Sequence, residues 1–497
     1  MRAFAVDETF YRLTSRRDIA RFHVVVGSQD LAVSRYIEPM KADVVVVGGG
    51  IAGLAAAYRL QQAGLDAVLL ERTSRIGGKL QTERVNGFVV EAGPDSFLTT
   101  KPGAIDLARR LGMGDELHAP SISGASVMKD GRLYPLPQGL SGLVPARLGP
   151  LLMSPVISPA GRLRLGLERL IPARRSATDE SLAGFMRRRF GREAYGRLIE
   201  PLMSGIYAGD GDQLSLTATF PQLRSTEMAR GSLMRAFANR PRPAGSPFLA
   251  PQSGIAALSE ALEAALVRVD LRRETTVTAI RRSGTDWVVS TDRGGEINSQ
   301  SVILAVPAYD AADALTDTDS ELAAILRLIP YVSVATVSLA YRASDVSEPL
   351  KGSGYVVPRR ENRPIIAATW MSNKWAHRAP PGHVLVRAFL GRAGRELILE
   401  NSNETLIDVA RAEMAQVLGA SGTPILQRVF RFPRGMPQYN LGHTDRLRRI
   451  ERRLAQHPGL YLAGHAYRGV GIPDCIISGE AAAVSAIERA PAKSPTT

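Results

Sequence analysis

A single cysteine, Cys475, in a chain of 497 residues removes several classes of protein at once. One thiol forms no intrachain disulfide and builds no multi-cysteine zinc or iron–sulfur site, so a reducing compartment suits the chain and no metal centre is expected. Long apolar runs are missing as well: the stretch Val44–Val47 ends at Gly48–Gly50, far short of the roughly 20 residues that a spanning helix needs. Zinc-finger spacing and an aromatic-rich RNA-binding signature are both absent, which argues against a nucleic-acid partner. Acidic residues are scarce, 48 against 62 Lys and Arg, a net charge of +14. That balance favours anionic partners such as carboxylate-bearing substrates or anionic lipid. Most of the excess is arginine spread along the chain, and the run Met186–Arg189 reads as a solvated face. Residues 1–40 have no apolar core for a secretory signal and carry Asp7, Glu8, Asp18, Asp30 and Glu38, which disfavours a transit peptide. They are expected to be a poorly ordered leader or an over-extended start.

What is present is ordinary for a folded protein, 45% hydrophobic and 22% charged, and at roughly 100–200 residues per domain the length predicts two to four domains. Ala42–Val47 reads as a strand, Ile51–Ala63 as a helix and Ala67–Leu70 as a second strand, a βαβ unit. Between the first strand and the helix stands Gly48-x-Gly50-x-x-Gly53, whose glycines let backbone approach a pyrophosphate at a helix N-terminus. Glu71, 18 residues after Gly53, ends the second strand where a carboxylate accepts from a ribose. This pattern establishes a dinucleotide site and leaves NAD and FAD open. A helix is predicted at Gly103–Leu111, followed by a Gly, Pro and Leu mixture from Pro135 to Pro172 that marks a domain boundary. There Leu140, Val144, Leu148, Leu151 and Leu152 fall on one side of helical turns, with Arg147, Arg162, Arg164 and Arg169 as cations; both a core-facing and a membrane-surface helix fit. A helix at Ile255–Val267 precedes strands at Thr275–Ile280, Trp287–Thr291, Ser301–Val306, Val332–Tyr341, Gly354–Val357, Ile365–Trp370 and Val384–Leu390. Finally a strand at Leu460–Ala463 leads through a glycine-rich turn into a helix around Ile476–Ile487.

Arg75-Ile76-Gly77-Gly78-Lys79, just past Glu71, resembles the second dinucleotide motif of the flavin-containing amine oxidase superfamily. Phe88–Phe97 resembles the segment that passes beside the isoalloxazine. The string Gly464–Cys475 is similar to the C-terminal flavin motif of the porphyrinogen oxidases, protoporphyrinogen oxidases and the related bacterial coproporphyrinogen oxidases, and the resemblance to that family extends to Ile199–Asp210 in the middle of the chain. The resemblance implies an α/β fold (α+β overall): a Rossmann-like FAD-binding domain (41–117, 250–309, 446–492), an inserted mixed-sheet substrate-binding domain (118–135, 218–249, 310–445) and a helical subdomain (136–217) that in some members rests on a membrane.

The same resemblance implies non-covalent FAD. Gly48, Gly50, Ile51, Ala52 and Gly53 hold it at the first turn; Glu71, Arg72, Gly77, Gly78 and Lys79 follow at the second. Gly93, Pro94, Asp95 and Val277 add contacts, and Gly464, His465, Val470, Gly471 and Ile472 meet the flavin's polar edge. Val356, Trp370 and Phe389 are expected to line a macrocycle, Gly205 to sit on the loop closing the pocket, and Lys101 to contact a propionate. Plant members carry an arginine just before the segment matching Ser126–Pro137, where this chain has Ala125. His465 is expected to satisfy a hydrogen bond without acid–base work, and Cys475 to be a small buried residue with no covalent flavin link. The implied reaction removes hydride from a porphyrinogen, coproporphyrinogen III or protoporphyrinogen IX, with electrons passed to molecular oxygen to give hydrogen peroxide, in heme biosynthesis. The alternatives are an amine oxidase, a carotenoid-desaturase-like enzyme, or a porphyrin-binding protein without turnover. The expected location is cytoplasmic, compatible with peripheral contact at the membrane; oligomeric state stays open.

Overall fold

The computed structural model describes residues 40–176, 178–238 and 245–490, without the side chains of residues 148 and 152. The leader expected over residues 1–40 lies outside the described residues, Met40 excepted. Strand β1 (Met40–Val47), helix α1 (Ile51–Gln62) and strand β2 (Ala67–Leu70) form the expected unit, with Val44–Val47 paired in parallel to Ala67–Leu70. Both stretches are buried without alternation, as strands covered on both faces must be. They sit in a seven-stranded sheet in the order Asp270–Arg272, β2, β1, Glu296–Leu304, Asp286–Thr291, Val277–Ser283, with Leu460–Leu462 joining Glu296–Leu304 in parallel. Distant parts of the chain therefore complete one sheet.

Four alanines and Gly53 make α1 thin enough to be buried nearly all round. Against it lies the C-terminal helix, and a Cβ placed on that helix's Gly479 would stand 2.0 Å from Ala52 O. Only glycine permits this crossing.

The second seven-stranded sheet runs β3 (Leu426–Pro437), Tyr331–Arg342, His383–Leu390, Ile365–Trp370, Gly354–Val356, Ser126–Lys129, Arg132–Pro135. One face is covered by helix Asn403–Leu418, whose Leu406, Ala410, Met414 and Leu418 pack on Val337, Leu339 and Trp370. The edge strand β3 was not expected, because Pro433, Gly435 and Pro437 break its pattern. It pairs with Tyr331–Arg342 through a register shift between Val332 and Val334, and Arg434 takes a φ of +46°.

Two expectations are overturned in the helical part. Leu140–Ser141 and Val144–Pro145 pair as short antiparallel strands rather than forming helical turns; helices follow at Leu148–Leu152 and Pro159–Gly166, the latter running into a 3-10 turn at Leu167–Leu170. The run Met186–Arg189 is not a solvated face. Met186 and Arg189 are fully buried, and Arg189 Nε donates to Glu168 Oε1 at 2.9 Å. Glu168 also accepts the N–H groups of Leu233 and Met234 and the hydroxyl of Ser232. A buried pair of this kind is tolerable only because its remaining lone pairs are filled. Helix α2 (Glu200–Tyr207) closes this region against the second sheet. After β3 come helix α3 (His443–Leu454) and the C-terminal helix α4 (Ile472–Arg489).

Candidate cofactor and substrate site

A cavity of about 1000 Å³ runs from the β1–α1 turn to the second sheet. At its first end the glycines divide their work. Gly48 has a φ of +104°, and a Cβ there would meet Ala305 O at 2.7 Å. A Cβ on Gly53 would lie 1.9 Å from Gly48 O, so this glycine lets α1 sit on β1 and does not itself line the cavity. Gly50 has nothing within 4 Å of its missing Cβ; its contribution is open space. No side chain caps α1, and its first turn holds no acid. The N–H groups of Ile51, Ala52 and Gly53 thus have no intrahelical acceptor, as suits an anion site.

The second glycine pair braces the first. Gly77 N–H donates to Gly49 O at 2.8 Å, and a Cβ on Gly78 would lie 3.1 Å from Gly50 Cα. Arg75 spends its guanidinium on the carbonyls of Ile76 and Leu80, 3.0 and 3.2 Å away. Glu71 accepts from Gly49 N–H at 2.8 Å and from Thr73 N–H and hydroxyl at 2.9 and 2.8 Å. With about four acceptor sites per carboxylate, about one remains for a ligand hydroxyl. Arg72 lines the cavity and pairs with Asp310 at 3.2 Å; Val277 lines it with Thr275, Thr276 and Thr278.

Midway, Lys79 Nζ stands 3.1 Å from His465 Nε2. Burial, more than any neighbour, lowers the Lys79 pKa to about 8. Burial and then the Lys79 charge depress His465 to about 3, against a contact with the backbone of Gly435. His465 is therefore a neutral imidazole whose Nε2 accepts from the ammonium, its proton facing Gly435. Lys79 then presents a positive charge whose hydrogen-bond partner carries none. Such a donor set fits the diphosphate or the reduced ring of a flavin dinucleotide. At the α4 end, Val470, Gly471 and Ile472 line the cavity with Gly464, whose N–H donates to Ser478 Oγ at 3.0 Å. Cys475 also lines it; burial pushes its thiol up to about 12, so it stays protonated.

Gly93 and Pro94 reach the cavity, and a Cβ on Gly93 would come within 2.5 Å of Lys79 O. Asp95 does not reach it. Its carboxylate is buried between Lys374 and Arg387, each 3.0 Å away, and these cations hold it far below the usual carboxylate range. Asp95 ties the glycine segment to the second sheet.

At the end formed by the second sheet, Phe389 and Ile366 line the cavity with Gly205, which was expected on a closing loop but sits within helix α2. Val356 packs behind Phe389 and Ile366 without reaching the space. Trp370 is a correction. It is 2% exposed, in the core under helix Asn403–Leu418, with its ring centroid 5.4 Å from that of Tyr355. A register shift between Ile365 and Ala367 reverses the alternation, so Ile366 faces the cavity and Trp370 faces away. Lys101 lines the cavity, but Nζ lies 2.6 and 2.8 Å from the Asp474 oxygens. Its charge is already matched. Residues missed from sequence come mainly from β3, where Phe432, Gly435 and Met436 line the wall, and from Tyr309. The aromatic Phe430 and Phe432 two apart were the available signal.

Known proteins match the chain along nearly their whole length. The chain is 36% identical to a coproporphyrinogen III oxidase of Bacillus subtilis, covering 90% of this chain and 98% of that one. It is 29% identical to a chloroplastic protoporphyrinogen oxidase of Oryza sativa, covering 94% and 91%. Among solved structures, an Exiguobacterium protein provisionally named protoporphyrinogen oxidase superposes with a TM-score of 0.81 at 36% identity, covering 90% of this chain and 99% of that one. A reduced UDP-galactopyranose mutase, 17% identical with a TM-score of 0.68 and covering 90% and 94%, shows the same fold. Residues 51–487 match the family described as flavin containing amine oxidoreductase, and the chain belongs to that family.

Proposed function

We propose that the chain is a porphyrinogen oxidase of heme biosynthesis, using non-covalent FAD and molecular oxygen and releasing hydrogen peroxide. The observation that carries this reading is the continuity of the cavity. One space joins a glycine turn with free helix N–H groups to a wall of Phe389, Ile366 and Gly205, and its volume lies at the upper end for ligand pockets, roughly 1,000 Å³. Bound FAD supplies the hydride acceptor. The chain's own groups bind and orient: the first turn of α1 takes the diphosphate and the remaining lone pair of Glu71 takes a ribose hydroxyl. Lys79 and the N-terminus of α4 offset negative charge at the ring. The apolar wall orients a flat macrocycle and excludes water.

Coproporphyrinogen III is the first substrate, in line with the Bacillus relative. Protoporphyrinogen IX, with fewer propionates, is the second reading, favoured by the engagement of Lys101 with Asp474. Steady-state oxidation of each compound by the FAD-loaded protein, followed by porphyrin fluorescence and peroxide release, decides between them. Failure on both sinks the assignment, and anaerobic bleaching of the flavin band by amines alone would point to an amine oxidase.

Among the described residues no helix is long and apolar enough to cross a membrane. We place a peripheral contact with an anionic membrane surface, on the cytoplasmic side, at the helical part. Met153, Leu163 and Leu170 are 84%, 70% and 75% exposed. Residues 136–176 contain six arginines and one acid, Glu168, which is buried. Co-sedimentation with phosphatidylserine vesicles tests this, and equal recovery of wild type and L163D would refute it.

A further inference from the structure

The turn Gly464–Gly471 presents both His465 and the first turn of α4 to the cavity, yet its shape is held from outside the site by two buried side chains of a segment that follows β3. Tyr439 is 1% exposed. Its hydroxyl donates to His465 O at 2.7 Å and accepts the N–H of Gly469 at 2.8 Å, so one oxygen ties both ends of a five-residue stretch. Gly469 has a φ of +120°, a backbone conformation that glycine, lacking a Cβ, reaches without steric cost. Beneath Tyr439, the His443 ring stacks at 4.2 Å and 12°, and its Nε2 bonds to Tyr467 O at 3.0 Å. Burial keeps that imidazole neutral, and the carbonyl acceptor places its single proton on Nε2. Tyr439 also meets the opposite wall: its ring packs on Tyr207 of α2 at 6.2 Å, and the neighbouring Gln438 Nε2 donates to Tyr207 O at 2.9 Å.

We infer that Tyr439 and His443 are positioning residues, a clamp that fixes the flavin-facing turn and couples it to the α2 wall of the substrate end. This rests on the cofactor reading above. The clamp acts through the peptide groups of His465, Tyr467 and Gly469, so losing it disturbs the electrostatics at the ring without removing any group that touches the ligand.

The test uses full-length Y439F, which keeps the ring and deletes both hydrogen bonds. Expected are about tenfold weaker FAD binding by the flavin-free protein, a shifted flavin absorption band and midpoint potential, and about tenfold faster amide exchange over residues 464–471, a loss on the scale of one to two net hydrogen bonds. H443Q, whose amide nitrogen replaces Nε2, restores wild-type values; H443L follows Y439F. L447A, on α3 but away from the turn, lowers Tm and leaves FAD affinity and the band unchanged. If Y439F behaves like L447A, the clamp is overturned while the cofactor reading stands. A wild-type chain that takes up no FAD overturns the cofactor reading and this inference with it.

Discussion

Replacing Lys79 by methionine should make the flavin-free protein more stable and the flavin-binding protein worse at its task. Burial lowers the Lys79 pKa from its ordinary 10.5 to about 8, which at about 1.4 kcal/mol per unit means that the fold bears about 3 kcal/mol to keep the ammonium there. Methionine removes that burden but leaves His465 Nε2 without its donor, a loss of about 1 kcal/mol. The net gain is about 2 kcal/mol. With about 2.1 cal/mol/K of unfolding entropy per residue, a chain of this length has about 1 kcal/mol/K in total, so Tm rises by about 2 °C. The sign with pH follows from the lowered value. Above about pH 8 folded Lys79 releases its proton while the unfolded chain holds one until about 10.5, so wild type gains on the variant as pH rises through that window. Scanning fluorimetry of both flavin-free proteins at about pH 7 and 10 reads the gap, and titration with FAD reads affinity, expected to fall at least about tenfold. A variant less stable than wild type near pH 7, or a gap that does not narrow by pH 10, refutes the assignment of Lys79 as a buried cation whose hydrogen-bond partner is uncharged.

Gly50 and Gly53 should separate space for a ligand from space for the fold. G50A places its methyl in an open region, so urea unfolding should match wild type within about 0.5 kcal/mol while FAD affinity drops; G53A drives a methyl into Gly48 O and should lose both. Acid stability is set partly by His443 and His465, lowered to about 4 and about 3. The unfolded chain protonates first, near 6.5, so stability falls with pH below that value, by up to about 2.7 kcal/mol per pH unit until about pH 4. In Tm against pH, H443F should halve the slope. E168A breaks the buried pair with Arg189 and should cost about 3–5 kcal/mol, seen as a Tm lower by several degrees with FAD affinity unchanged.

The nucleotide half was legible in the sequence because its signals are local. Ala67–Leu70 ends where β2 ends, and the α1 expectation missed its C-terminus by one residue, since a β-branched run, glycines and an apolar helix are each read within a few positions. The substrate half depends on bulges that no periodicity reports. The shift after Ile365 turned Trp370 into core, and Pro433 and Pro437 hid a strand that lines the cavity. Charge misled in the same way. Met186–Arg189 looks solvated until Glu168 arrives from 21 residues away, and Lys101 looks available until α4 brings Asp474, 373 residues on.

The seating of Gly479 on Ala52 carries a consequence for how the protein is made. The glycine turn before α1 is among the first described residues to leave a ribosome, whereas the helix that packs on α1 is among the last. Until α4 docks, α1 lacks the partner that buries its outer face, and His465 is not yet beside Lys79. Uptake of a flavin should therefore wait until α4 docks, and a chain cut before Gly464 should fold its second sheet yet keep no flavin. Residues 51–62 and 472–489 thus meet at a single helix crossing, where one added methyl on Gly479 would force them apart.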